Sequence, residues 1–310
     1  MDELILHHYD GSPFSEKVRL ILGFKGLAWR SVTVPRILPK PDVVALTGGY
    51  RRTPFLQTGA DVWLDTALVA RVLDRRRPEP PLYPPSAPLS PLLAQWADAT
   101  LFWTVVPWVM QPAGVAAMFA GAPPEAAKAF GADRAAMTAG MKRLSTAEAS
   151  VLLPQYLAAL DGQLADGPGF LFGPRPTIAD FSVAHCLWFV QRLPPVAHIL
   201  APHARLGAWL ERMRALGHGQ PTPMGSDEAL AVARAAGGRF VPCAVAEGLG
   251  FAAGQRVRAA ATDYGADPIV GTLVGLDADE AVIEREDPQA GTVHVHLPRL
   301  GYQIKPEETV

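Results

Sequence analysis

Cysteine is nearly absent from this chain: its 310 residues hold two, Cys186 and Cys243, far apart and in no Cys-x-x-Cys pair. That argues against a disulfide scaffold, a thiol-pair redox centre and a Cys-rich zinc site, and it fits a reducing cytoplasm. An excess of charge of either sign is also missing, with Lys+Arg 28 against Asp+Glu 30 and a formal net charge of −2. No broad basic surface for nucleic acid or anionic lipid is expected from that balance. Nor is there an unbroken apolar run of the roughly 18 residues or more that a membrane span requires. The most apolar stretch, between Asp98 and Glu125, is interrupted by Pro107, Gln111, Pro112 and Gly114, and is read as buried helix rather than membrane span. The N-terminal Met1-Asp2-Glu3 has no basic segment of the kind that opens a secretory leader, so none is expected.

With 49% apolar residues, the chain suits one large globular domain or two to three smaller ones. Strand and helix signals alternate over residues 3–83 in the order β-α-β-α-β-β-α. Leu4 to Tyr9 is a short apolar run ending at Asp10-Gly11, and Phe14 to Gly26 carries Val18, Leu20, Ile21, Leu22 and Phe24 at helical spacing. Trp29 to Val34 reads as a strand, Phe55 to Thr58 and Val62 to Leu64 as a hairpin turning at Gly59, and Thr66 to Asp74 as a helix. Pro78 to Pro91 contains seven prolines in fourteen residues, a composition suited to a semi-rigid linker. From Leu92 to about Leu216 the pattern is helical. Gly219 to Gly225 reads as loop and Ser226 to Ala236 as helix. Short strands are then expected at Arg256–Ala261, Ile269–Leu276, Ala281–Arg285, Thr292–Leu297 and Tyr302–Lys305. The expected division is 1–83, an α/β domain; 84–225, an all-α domain; and 226–310, a helix with a small all-β barrel or sandwich. This last part is expected to pack as a separate module docked on the helical domain, so truncation after about Met224 should spare ligand binding.

The most informative segment is Ser12-Pro13-Phe14-Ser15, immediately after the first strand. Ser12 has the residue type of an N-cap and Pro13 the favoured first helical position. A serine there serves either as a simple cap or as a donor to an anion, such as a thiolate, drawn to the positive end of the helix. Thr53-Pro54 stands just before Phe55-Leu56-Gln57, where a proline belongs at a strand start or in a cis bond beside a site. Asp65-Thr66 closes the hairpin and opens the next helix, and Thr177-Ile178-Ala179-Asp180 has the form of a capping box.

These motifs resemble those of the soluble, thioredoxin-fold glutathione transferases. Ser12 to Ser15 is similar to the Ser-Pro-Phe-Ser of the tau class, at a position that is cysteine in the omega class. Arg52-Thr53-Pro54-Phe55-Leu56 is similar to the family's cis-proline segment, Asp65-Thr66 stands in place of its Glu-Ser or Asp-Ser pair, and Thr177 to Asp180 resembles its helical-domain capping box. The resemblance spans residues 3–216 and implies an α/β thioredoxin-like domain followed by an all-α domain. It also implies glutathione as co-substrate, no metal, an apolar electrophile as the other reactant and a homodimer. Residue by residue, Ser12 would donate to the glutathione sulfur beside Phe14. Thr53 would pair with the cysteinyl moiety with Pro54 cis, Asp65 and Thr66 would hold the γ-glutamyl end, and Lys40 and Arg52 are candidates for the glycyl carboxylate. A free thiol of pKa about 8.5 is about 3% ionised at pH 7, and lowering that value by about two units, worth about 2.7 kcal/mol, makes thiolate the majority form. Ser15 and Tyr9 compete with Ser12 for the role at sulfur.

Of the aromatic run Trp96, Phe102, Trp103 and Trp108, one or two residues are expected at the electrophile site and the others in core. His294 and His296 lie on one face of an expected strand, but no third metal ligand is evident. His7 and His8 are read as structural. The β-rich tail is foreign to the two-domain pattern, so a glutathione- or protein-binding module without turnover remains the alternative to an enzyme.

Overall fold

The structure is a computed structural model that describes residues 3–165, 169–237 and 244–307. Cys243 lies outside the described residues, and Cys186 is buried. The N-terminal part runs β1 (Ile5–His8), α1 (Pro13–Phe24), β2 (Ala28–Thr33), α2 (Pro41–Thr47), β3 (Phe55–Thr58), β4 (Asp61–Leu64) and α3 (Thr66–Arg76). β1 pairs parallel with β2 and antiparallel with β3, and β3 pairs antiparallel with β4. The element order is the one the sequence signals gave, and the arrangement is the thioredoxin-like one that the resemblance implied. Ser12 caps α1 as expected, accepting from the Ser15 N–H, with Pro13 in the first turn. Gly23 permits the close approach of α1 to the 216–217 turn, since a Cβ there would lie 2.0 Å from the Gly217 carbonyl oxygen.

The helical part comprises α4 (Ser90–Trp96), a π-helical turn (Ala97–Leu101), α5 (Phe102–Val109), α6 (Pro112–Met118), α7 (Pro124–Met137), α8 (Thr146–Gln163), α9 (Ile178–Gln191), α10 (Pro194–Ala197) and α11 (Ala204–Arg214). Among the described residues no single helix is long and apolar enough to cross a membrane. At the head of α9, the carboxylate of Asp180 accepts from the Thr177 and Leu171 N–H groups and from the Trp209 indole, at 2.8, 2.9 and 3.0 Å. Leu20, Leu22, Leu73, Leu101, Leu157, Phe181 and Leu187 join in one core, so α1 and α3 on one face of the sheet pack into the helical part without a boundary.

The C-terminal part departs from the expectation of a separate module. Gln220–Pro223, read as loop, is a strand, β5, parallel to β2 at the sheet edge. Its prolines alternate with positions that bond inward, and Gln220 and Met224 donate their N–H groups to Leu27 and Ser31. A proline is tolerated on an edge strand because its missing N–H would face away from the neighbour. After α12 (Ser226–Ala236) come β6 (Arg256–Ala261), β7 (Ile269–Leu276), β8 (Glu280–Asp287), β9 (Gly291–Pro298) and β10 (Tyr302–Pro306). Among the described residues they form no closed barrel of their own. β9 pairs parallel with β4, with Asp61, Val62 and Trp63 opposite His294, Val295 and His296. The result is a single ten-stranded sheet ordered β10-β6-β7-β8-β9-β4-β3-β1-β2-β5. Val43, Leu46, Phe55, Val62 and Leu64 share a second core with Leu230, Leu273, Ile283, Val293, Val295 and Leu297. The extension therefore docks chiefly on the thioredoxin-like part, and residues 220–236 belong with that part as well.

Candidate active site

A cleft of about 790 Å³ opens between the C-terminal end of β1 and the helical part, within the size range of small-molecule sites. Ser12 lies at its floor. The Ser12 Oγ accepts from the Ser15 N–H at 3.2 Å and donates to the Thr53 carbonyl at 3.4 Å, and the Thr53–Pro54 bond is cis. Phe14 lies beside it, packed on Phe102 and His185 with ring centroids 4.7 and 4.6 Å away. Tyr9 also lines the cleft. Ser15 does not: it is fully buried, and its own hydroxyl has no hydrogen-bond partner.

Lys40 is 4% exposed. Its Nζ donates to the Arg51 carbonyl and to Thr53 Oγ1, both at 3.2 Å, and it meets no carboxylate among the described residues. Burial, reinforced by the nearby Arg134 charge, lowers its pKa to about 8. An ammonium held in that way is a receptor for a ligand carboxylate, which would satisfy it better than two neutral oxygens.

Arg52 also lines the cleft, but it is already engaged. Its guanidinium donates to the Asp263 carboxylate and the Tyr264 carbonyl, and lies 3.8 Å over the Tyr264 ring. Asp65 caps α3, accepting from the Ala67 N–H at 2.9 Å, at a φ of 69° rarely adopted outside glycine. Burial raises the Asp65 pKa, and its outer oxygen accepts from the Tyr302 hydroxyl at 3.4 Å. Beneath the Asp65–Thr66 turn, the Thr66 hydroxyl accepts from Lys17 Nζ at 3.3 Å. Lys17 in turn pairs with Asp98 at 2.6 Å, and Asp98 also binds His185 at 2.9 Å. Burial alone would push the Asp98 carboxyl up, but Lys17 and His185 hold it below the ordinary carboxylate range.

The other half of the cleft is apolar, walled by Phe102, Trp103, Val106, Met110, Met118, Phe119, Phe130, Met137 and Met141. Of the aromatic run, Phe102 and Trp103 face it. Trp96 instead packs on Tyr156, and Trp108 on His198, with its indole N–H donated to the Val196 carbonyl. α7 roofs the cleft, tied by Asp133 to the β2–α2 loop, through the Leu38 N–H at 3.2 Å, and to the α2–β3 loop, through Arg51 at 2.7 Å. Three contributors escape sequence reasoning: the Lys17–Asp98–His185 network, α7 as roof, and Tyr264 of the extension. Only Lys17 leaves a trace in the sequence, as a cation amid the apolar spacing of α1. His294 and His296 are spent on carboxylates, His294 on Glu284 and His296 on Asp61 and Glu280. Among the described residues no group of three or more His, Cys, Asp or Glu is placed to hold a metal ion.

The fold and the cleft together define a thioredoxin-like protein with a helical second domain. Residues 6–81 match the model of the glutathione S-transferase N-terminal domain, and residues 145–212 that of the C-terminal domain. A GST-like protein from Pseudomonas syringae of known crystal structure is 39% identical and superposes with a TM-score of 0.80, over 99% of this chain and 100% of that one. The chain belongs to the glutathione S-transferase superfamily. More distant structures share the fold: a glutathione transferase from Phanerochaete chrysosporium at 19% identity and TM-score 0.55, over 70% of this chain and 98% of that one. Likewise FzlA from C. crescentus matches at 22% and 0.52, over 69% and 92%. These two leave about a third of the chain unmatched, whereas the Pseudomonas protein spans it. No functionally curated protein matches the chain.

Proposed function

We propose that the protein is a cytoplasmic, homodimeric glutathione transferase in which Ser12 activates the thiol of bound glutathione for attack on an apolar electrophile or a peroxide. The observation that carries this reading is the position of Ser12 Oγ, held at the N-terminus of α1 and 3.4 Å from the Thr53 carbonyl, at the meeting of the polar and apolar halves of the cleft. A thiolate placed there accepts from the hydroxyl more strongly than a carbonyl does, and the helix end favours the same charge. One charge-assisted hydrogen bond of about 1.5–3 kcal/mol supplies the stabilisation that a majority of thiolate at neutral pH requires. The Thr53 backbone pairs with the cysteinyl group, Asp65 and Thr66 receive the γ-glutamyl end, and Lys40 receives the glycyl carboxylate. Sulfur then attacks the electrophilic carbon, whose leaving group departs with the electron pair, and the thiol proton is released to solvent. No covalent bond to the protein forms.

The test is a melting curve with and without glutathione, followed by turnover of chlorodinitrobenzene. At a free glutathione concentration about 100 times its dissociation constant, the folded state should gain about 2.7 kcal/mol. A stabilised protein without turnover would identify a glutathione-binding module, and no stabilisation at all would overturn the reading.

A further inference from the structure

Among the described residues, the C-terminal extension lines the cleft through Tyr264 of the β6–β7 loop, and the contacts there are specific. Tyr264 enters the cleft and presents its ring edge-on to Trp103, with centroids 4.9 Å apart and planes at 80°. Behind it lies the Arg52 guanidinium, 3.8 Å from the ring centroid and bonded to the Tyr264 carbonyl and the Asp263 carboxylate. The next residue, Gly265, donates its N–H to the Met137 carbonyl at 2.8 Å, from a left-handed φ of 55°. A Cβ at Gly265 would meet the Met137 side chain at 3.2 Å, so the position suits glycine both in conformation and in space. One tyrosine is thus fixed to the thioredoxin-like part through Arg52 and to the helical part through Trp103 and Met137. Trp103 and Met137 are themselves walls of the apolar half.

We propose that Tyr264 is a specificity-determining wall of the electrophile site, and that Arg52 is the positioning residue that holds it there rather than a receptor for glutathione. This rests on the reading of the cleft as a transferase site and adds to it the part played by the extension. A guanidinium stays protonated at any working pH and stacks on aromatic faces, so it is a permanent anchor for the ring. Asp263 and the Tyr264 carbonyl both take Nη2, so a ligand carboxylate that claimed Arg52 would have to share its charge with Asp263. Among the described residues Lys40 is bonded to no carboxylate, and Asp133 acts on it only through its charge. The bulk of the Tyr264 ring, wedged against Trp103, therefore limits how large an aryl electrophile the apolar half admits.

The two roles for Arg52 predict opposite splits of the kinetic constants. The full-length protein and its Tyr264→Ala, Tyr264→Phe, Asp263→Asn and Arg52→Ala variants are compared with chlorodinitrobenzene and with its larger naphthalene counterpart. Tyr264→Ala should raise the ratio of kcat/KM for the naphthalene over the benzene substrate by about tenfold or more, the scale on which apolar pockets discriminate size. Tyr264→Phe, which keeps the ring, should restore the wild-type ratio. Arg52→Ala and, more weakly, Asp263→Asn should shift the ratio in the same direction while the KM for glutathione stays within about threefold. A rise in glutathione KM in Arg52→Ala with an unchanged ratio, or no change of ratio in Tyr264→Ala, would overturn the proposal. Binding of the two aryl compounds without glutathione, read by quenching of tryptophan fluorescence, gives the same size preference with no turnover. It thereby separates failure of this proposal from failure of the transferase reading.

Discussion

The hydroxyl of Ser12 rests 3.4 Å from the carbonyl oxygen of Thr53, while accepting the Ser15 N–H at 3.2 Å. Its proton is therefore aimed along the edge of the cis Thr53–Pro54 segment, at a long and weak acceptor that a thiolate can replace. Ser12→Ala should raise the pKa of bound glutathione thiol and cut turnover by about tenfold or more, about 1.4 kcal/mol in barrier. Ser15→Ala should leave both unchanged, because that hydroxyl is buried outside the cleft. The thiolate absorbance of bound glutathione against pH checks the first effect directly. Unaltered thiolate in Ser12→Ala with loss in Tyr9→Phe would move the role to Tyr9.

Lys40 gives the site a pH signature. Its pKa is lowered to about 8 by burial and by Arg134, so the free protein loses this cation as pH rises through that value. Affinity for the glycyl carboxylate should accordingly hold below pH 8 and fall above it, by about tenfold once the charge is gone, as suits a hydrogen bond to a charged group. S-methylglutathione is the ligand of choice, because its sulfur does not ionise; its γ-glutamyl amine also titrates in alkaline solution, so the part due to Lys40 is read as the difference between the protein and Lys40→Arg. That variant should lose the Lys40 part of the fall, since guanidinium remains charged. An identical fall in Lys40→Arg would show that another group is responsible.

How far the sequence carried the fold can be judged at its seams. The expected limits of β6 and β7, Arg256–Ala261 and Ile269–Leu276, and of α12, Ser226–Ala236, coincide with the observed ones, because period and turn chemistry are local. What strand pairs with what is not local. Val293, Val295 and Leu297 alternate as any half-buried strand would, and nothing in that pattern says that the partner of Val295 is Val62. Likewise Pro221 and Pro223 read as loop because the sequence does not reveal that β5 is an edge. At the candidate site, the placements of Ser12, Thr53 and Asp65 were legible because each sits at a helix or strand terminus, and of the three Ser12 and Thr53 line the cleft. Arg52 was legible only as a cation beside the cis-proline. Its partner Asp263 is 211 residues further along, and no spacing rule reaches that far.

Acid should destabilise the protein through His7. Its ring donates to Gln57 Oε1 at 2.8 Å, because both Gln57 amide hydrogens are already given to the Gly59 and Ala229 carbonyls. It also stacks on Phe55 at 4.2 Å. Burial is the chief cause of the fall of its pKa to about 4, from 6.5 for the free side chain. Since the folded value lies below the unfolded one, the unfolded chain takes up the proton first. Stability is thus intact above pH 6.5 and declines as pH falls toward 4, by about 3 kcal/mol for this group. His7→Gln should flatten the slope of urea-unfolding free energy against pH in that window. A slope that survives unchanged would exclude His7 as its source.

The last prediction concerns the seam itself. Val62 and Val295 face one another across the parallel β4–β9 pair, and both are fully buried. On the same side, Phe55, Leu64, Val43 and Leu46 pack against Ile283, Val293, Leu297 and Leu230. Truncation after Met224 would remove β6 to β10 and α12 together, leave β4 as a bare edge and expose that face. Burial of one large aliphatic or aromatic side chain is worth about 1.5–3 kcal/mol, and a domain's whole margin is about 5–15 kcal/mol. Uncovering these five residues of the N-terminal part, Val62 included, therefore costs about as much as the whole margin of the fold. The truncated chain should be insoluble or should unfold without a cooperative transition, and glutathione should not rescue it. That outcome reverses what a docked module would give. Val295→Ala tests the seam more gently, with an expected loss of about 2 kcal/mol or more in urea unfolding and no change in KM for glutathione. A truncated protein that melts cooperatively and still binds glutathione would show that the extension is a dispensable addition to the sheet after all.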